Sequence, residues 1–177
     1  MKFYVCVSVI SSLLLLYACG TDDQNSGNTE IKKRDFSTEM YPDCWINEQT
    51  LEKNIVHSGK YASHIDSAYP FSYGFCERIG NIDDMLPKKA NIKVWVLYRV
   101  VGTPADLVFS IDSVQKNKFW IGIPLKDSVI KANEWTEIKC QITLPGKISP
   151  EDKIGIYVWG KAKKELYIDD LSISFEY

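Results

Sequence analysis

From Asn91 to the C-terminus the chain is a succession of short segments whose apolar residues recur every second position. In "NIKVWVLYRVV", Val94, Val96 and Tyr98 share one face, and Trp95, Leu97 and Arg99 the other. "DLVFSIDSV" puts Leu107, Phe109 and Ile111 together, and "KFWIGIPL" sets Phe119, Ile121 and Ile123 against Trp120. In "EIKCQITL", Ile138, Cys140, Ile142 and Leu144 alternate with Lys139, Gln141 and Thr143; in "GIYVWG", Ile156 and Val158 oppose Tyr157 and Trp159. Gly102-Thr103-Pro104, Ala132-Asn133, Ser149-Pro150 and a lysine-rich stretch after Gly160 separate the segments. Side chains of an extended chain alternate between faces, so repeated period-two segments divided by turn residues specify an all-β sandwich or barrel. Helix has room only around Asp83–Leu86. The part before Asn91 divides less cleanly, with strands expected near Val56–His57, Ala62–Ile65 and Tyr73–Ile79.

The N-terminus obeys other rules. Lys2 precedes an apolar run ending at Ala18, too short for a membrane span and suited to a secretory signal. Leu16-Tyr17-Ala18-Cys19 resembles the bacterial lipobox, although Tyr17 stands where a smaller residue is usual. The resemblance implies cleavage before Cys19, lipidation of its thiol, and anchoring of the protein to a membrane. Residues 19–35, rich in Gly, Ser, Asn and charge, are expected to form a flexible tether. Asp22-Asp23 within it resembles the acidic signals that send Bacteroidetes lipoproteins to the outer face of the outer membrane; a plain solvated spacer is the other reading. Residues 36–177 suffice for one domain. A formal net charge of −2 with no basic stripe argues against a nucleic-acid partner.

Outside the signal and Cys19, the cysteines are Cys44, Cys76 and Cys140. Cys140 falls among core residues. Cys44 and Cys76 are free to pair in an oxidising compartment or to stay reduced, since spacing does not reveal their separation. No zinc-ligand spacing is present.

In the terminal "LYIDDLSISFEY", a strict period of two places Asp169 with Tyr167, Leu171, Ile173 and Phe175, and Asp170 with the polar residues. A carboxylate on an apolar face needs a partner. Backbone N–H groups, a basic side chain or a cation would each serve. Asp170, facing outward, needs none.

Three segments occur in the order found in jelly-roll carbohydrate-binding modules of the galactose-binding-like fold. "HSGKYASHID", "EWTEIKCQITLP" and "LYIDDLSI" resemble that family's "SGk" turn, its Trp-bearing strand and its closing "DD" strand. The ending also resembles surface lipoproteins of gut Bacteroidetes. The N-terminal Phe-Glu signature of the family is blurred here into "DFSTEM". The resemblance implies a jelly-roll β-sandwich and a structural Ca²⁺ held by Asp169, with Glu39 and the backbone of Ser58 to Lys60 as partners. It also implies an inward Trp135.

For function, His57 and His64 sit in no hydrolase motif, and no pair of carboxylates is singled out for glycoside hydrolysis. Ser58 reads as a turn residue ahead of Gly59 rather than a nucleophile paired with His64. A non-enzyme is expected. The aromatics point elsewhere, because flat rings stack on the C–H faces of sugars. Trp95, Arg99, Trp120, Tyr157 and Trp159 are expected to line one concave sheet, with Trp45 and Tyr73 as rim contacts. Two readings follow. One is a lipid-anchored surface protein capturing polysaccharide or oligosaccharide for a neighbouring outer-membrane uptake system. The other is a structural or protein-interaction lipoprotein using the same jelly roll, in which Trp120 and Trp159 are buried and the exposed face is flat or apolar.

Overall fold

The structure is a computed structural model that describes residues 32–38, 42–162 and 164–177. The lipobox, Cys19, Asp22-Asp23 and Glu39 therefore lie outside the described residues. Among the described residues, eleven strands occur in the order β1 (Lys33–Ser37), β2 (Trp45–Ile46), β3 (Leu51–Glu52), β4 (Ala62–Ile65), β5 (Gly74–Arg78), β6 (Lys89–Tyr98), β7 (Ala105–Asp112), β8 (Asn117–Pro124), β9 (Trp135–Thr143), β10 (Lys153–Gly160) and β11 (Leu166–Glu176). The alternating segments become β6 to β11 as expected. A single α-helical turn among the described residues, α1 (Ile79–Ile82), lies ahead of the expected Asp83–Leu86, because Ile79 and Ile82 can both be buried there. Val56–His57 is a loop and not a strand. β1 starts inside the segment expected as tether.

Two antiparallel sheets face each other. One has the order β3-β4-β11-β6-β9, with β1 also paired to β11; the other is β2-β5-β10-β7-β8. Between them lies an apolar core including Val94, Val96, Tyr98, Leu107, Phe109, Ile111, Ile154, Ile156 and Val158, the in-facing halves of the alternating segments. Phe36 of β1 packs on Phe75 of β5 at 5.0 Å between ring centroids and on Phe175 of β11 at 6.0 Å, joining both sheets. Trp45 and Tyr73, expected at a rim, stack at 5.4 Å against this cluster, with Trp45 buried.

β11 breaks the strict alternation. It is in register with β6 from Leu166↔Tyr98 to Asp169↔Trp95, and the register resumes at Ser172↔Lys93. Asp170 and Leu171 thus stand opposite Val94 alone, a β-bulge in which Asp170 takes the left-handed φ of +47°. The extra residue inverts the phase. Leu166 and Ile168 face the core before it; Leu171, Ile173 and Phe175 face the core after it. Asp169 is therefore on the outer face of the six-stranded sheet, and not on the apolar face expected from uninterrupted alternation.

Candidate functional site

The outer face of the five-stranded sheet follows from the same parity. Core-facing Ile154, Ile156 and Val158 put Lys153, Gly155, Tyr157 and Trp159 outward along β10. Pairing sets Trp159 beside Asp106, Tyr157 beside Val108, Gly155 beside Ser110 and Lys153 beside Asp112. On β8, Gly122 lies beside Val108 and Trp120 beside Ser110. Beyond β10, Cys76 pairs with Gly155, and Phe71 bridges to Trp159. Phe71 meets Tyr157 edge-on at 5.7 Å and stacks on Trp159 at 6.1 Å.

Glycines make this face a shelf. A Cβ at Gly122 would lie 2.6 Å from the Trp120 ring and from the Asp106 carboxylate; one at Gly155 would lie 2.8 Å from Ser110 Oγ; one at Gly74 would strike Tyr157 Cβ at 2.6 Å. Each glycine leaves space that a ring or polar group uses. Trp120 is 48% exposed. Burial raises the pKa of the Tyr157 hydroxyl, so Tyr157 stays protonated. Polar groups edge the rings. Lys161 pairs with Asp106 and lies 5.5 Å from the Trp159 ring, and Ser110 Oγ donates to Asp112 Oδ2 at 3.1 Å. Rings on an outer sheet face beside fixed polar groups are what a sugar-stacking surface requires.

Trp120, Tyr157 and Trp159 are brought together as expected, but Trp95 and Arg99 are not with them. Those two lie on the outer face of the other sheet, since β6 pairs with β11 and β9. Trp95 stacks under His57 at 3.9 Å, and Arg99 lies 5.3 Å over Tyr167 while donating to Asn133. Trp135 is on that outer face too, meeting His57 edge-on at 5.6 Å, because Ile138 and Ile142 take the inward parity of β9. Phe71, which follows no alternating run, was missed by sequence reasoning.

The bulge organises the second face. Asp169 Oδ2 accepts from the backbone N–H of His57 at 2.7 Å and of Ser58 at 3.2 Å, and Oδ1 accepts from Asp170 N–H at 2.7 Å. Burial raises the Asp169 pKa against the pull of these three amides. Asp170, expected to need no partner, accepts from Ser58 Oγ at 2.6 Å and pairs with His57 Nδ1 at 2.6 Å. The two carboxylates pin the His57–Ser58 loop across the sheet. His64 does not approach Ser58 as a base would; its ring stacks on Tyr167 at 4.7 Å. Of the expected calcium shell, Glu39 lies outside the described residues, Asp169 accepts the N–H groups of His57 and Ser58, and Lys60 is exposed. Among the described residues no three His, Cys, Asp or Glu side chains converge on one point.

Cys44 and Cys76 are both free. Cys76 points outward from β5, beside Gly155. Cys44 turns inward against the core, 3.6 Å from Glu77 Oε2. The thiols sit on opposite sides of the sheet, which is why no bridge forms.

No family model matches the chain, and no curated protein does. Solved structures do match. The chain is similar to the CBM22-1–GH10 modules of a Clostridium thermocellum endo-1,4-β-D-xylanase complexed with xylohexaose, at 21% identity and a TM-score of 0.52, over 78% of this chain and 27% of that one. It is also similar to the CBM22-2 xylan-binding domain of a Paenibacillus barcinonensis protein, at 14% identity and a TM-score of 0.51, over 81% of this chain and 98% of that domain. The class of fold is therefore the jelly-roll β-sandwich of carbohydrate-binding modules. At these identities the likeness concerns the fold alone.

Proposed function

We propose that this protein is a non-catalytic, glycan-binding lipoprotein, anchored through Cys19 and displayed at the outer membrane surface, where it captures polysaccharide for a neighbouring uptake system. One observation carries the binding reading. Trp120, Tyr157, Trp159 and Phe71 share the outer face of the five-stranded sheet, over glycines and beside Asp106, Ser110 and Asp112, instead of filling the core. The interaction-protein alternative required Trp120 and Trp159 to be buried; Trp120 is 48% exposed and Trp159 half-buried. The anchor rests on Leu16–Cys19, and surface display on Asp22-Asp23.

Xylan, named for the structural neighbours, is the first polymer to test. In affinity electrophoresis through xylan and other plant polysaccharides, the full chain is expected to be retarded by at least one of them. Trp120→Ala and Tyr157→Ala should lose that retardation while melting normally. A folded chain retarded by none, or variants retarded like the parent, refutes the reading. The anchor is tested by radiolabelled palmitate incorporation, which Cys19→Ala should abolish.

A further inference from the structure

Beyond the start of β8, the β7–β8 turn and the loop after β9 border an open cleft of about 490 Å³, lined by Lys116, Asn117, Lys118, Pro145, Gly146 and Lys147. Its charge is one-sided. Lys118 is neutralised by the buried Asp152, 2.8 Å away. Lys116 and Lys147 make no ion pair among the described residues. The neighbouring acid, Asp112, is already engaged by Asn117 Nδ2 at 2.8 Å and Ser110 Oγ at 3.1 Å. The turn carrying Lys116 is fixed, with Ser113 N–H donating to Lys116 O at 2.9 Å and Ser113 Oγ to the same oxygen at 2.9 Å. Lys153 points outward two residues from Gly155, paired with Asp112, so it adds positive charge to the same end of the shelf.

Strand pairing and hydrogen bonds lead from this end toward the aromatic rings. Trp120 pairs with Ser110, Ser110 bonds Asp112, and Asp112 bonds Asn117 in the cleft. At about 3.3 Å per residue, the cleft starts roughly 10 Å from the Trp120 position, within reach of a short oligosaccharide stacked on the shelf. A nucleic acid would need a longer basic track than this cleft provides. We infer that the glycan bound on this shelf is anionic, its acidic substituent received by Lys116 and Lys147. This inference rests on the glycan-binding reading and adds the class of ligand.

Glucuronoxylan and its carboxyl-reduced form provide one pair of probes, and a sulfated galactan with its desulfated form another. Binding to the full chain is measured at low and high salt. One acidic member of a pair should bind about threefold to tenfold more tightly than its neutral counterpart at low salt, the sum of two exposed charge contacts. Added salt should shrink the preference. The pair that shows it tells uronate from sulfate. The double variant Lys116→Gln, Lys147→Gln, at exposed positions, should bind both members of that pair equally and melt like the parent. Equal binding of acidic and neutral polymers by the parent overturns the inference while leaving the glycan-binding reading in place. Absence of binding to all four overturns both.

Discussion

The Asp169 carboxylate offers a direct test of how the bulge is held. Asp169→Ala removes the acceptor of three backbone N–H groups, two of them on the distant loop at His57 and Ser58. An N–H left without its acceptor costs about 1–3 kcal/mol when water cannot replace the bond, and hydrogen bonds to charged groups fall at the upper end of the usual range. His57 and Ser58 are exposed as residues, so water recovers part of the loss at their amides, and Asp170 N–H remains beside the chain. The expected destabilisation is therefore about 2–3 kcal/mol, a sizeable share of the roughly 5–15 kcal/mol typical of a domain. Asp169→Asn keeps one oxygen for the loop amides but turns an NH₂ toward Asp170 N–H, and should cost about half as much. Urea denaturation followed by tryptophan fluorescence measures both. A cost below about 0.5 kcal/mol for Asp169→Ala would refute the claim that these amides are what the carboxylate is there for.

Chelation with EDTA should leave the melting temperature unchanged, because amides satisfy Asp169; a rise on adding calcium would support the ion expected from the sequence. Reductant should likewise leave the melting temperature unchanged, since Cys44 and Cys76 are unbridged; a drop would show a disulfide. Gly122→Ala, whose Cβ would lie 2.6 Å from the Trp120 ring, should displace that ring and weaken glycan binding by about tenfold, or 1.4 kcal/mol, with unaltered binding counting against the shelf. For pH, the folded chain holds the Asp169 proton more tightly than the unfolded chain. Its contribution to stability is largest below the ordinary value of 3.8 and is lost as pH rises through the raised folded value. Asp66 and Asp83 act oppositely, their pKa values lowered by the Tyr69 amide and by Lys32 respectively, so their contribution is lost only as pH falls below 3.8. Denaturation curves of Asp169→Asn should lack the decline above pH 3.8; a decline equal to the parent's would assign it elsewhere.

The core of the sandwich was legible because β6, β7, β9 and β10 keep an unbroken period of two, so Val94, Phe109 and Ile156 announce their faces. The short strands were not. β2 and β3 have two residues each, too few to carry a period. At β11 one extra residue reversed every assignment N-terminal to it, and nothing in "IDDL" distinguishes a bulge from a plain strand until Asp170's backbone is known. Alternation also says which side of its own strand a residue occupies, not which sheet the strand joins. That is why Trp95 and Arg99 parted from Trp120, Tyr157 and Trp159. Strand order depends on contacts distant along the chain, such as β6 lying between β11 and β9, which local pattern does not record. Trp135 shows the converse error. The family resemblance placed it inward, while the parity of Ile138 and Ile142 in the same segment already placed it outward.

The pairing of β1 with β11 has a mechanical consequence. Lys33 to Ser37 run antiparallel to Ser172 to Glu176, and Tyr177 N–H to Lys32 O and Thr38 N–H to Leu171 O extend the ladder at its two ends. A chain tethered by its N-terminus, as proposed, takes any pull through β1, and the component along the strand axis loads every rung of this ladder. The whole ladder then bears the load together in shear, and its hydrogen bonds do not open one after another. Phe36, wedged between Phe75 and Phe175, would have to leave the core before β1 could slide.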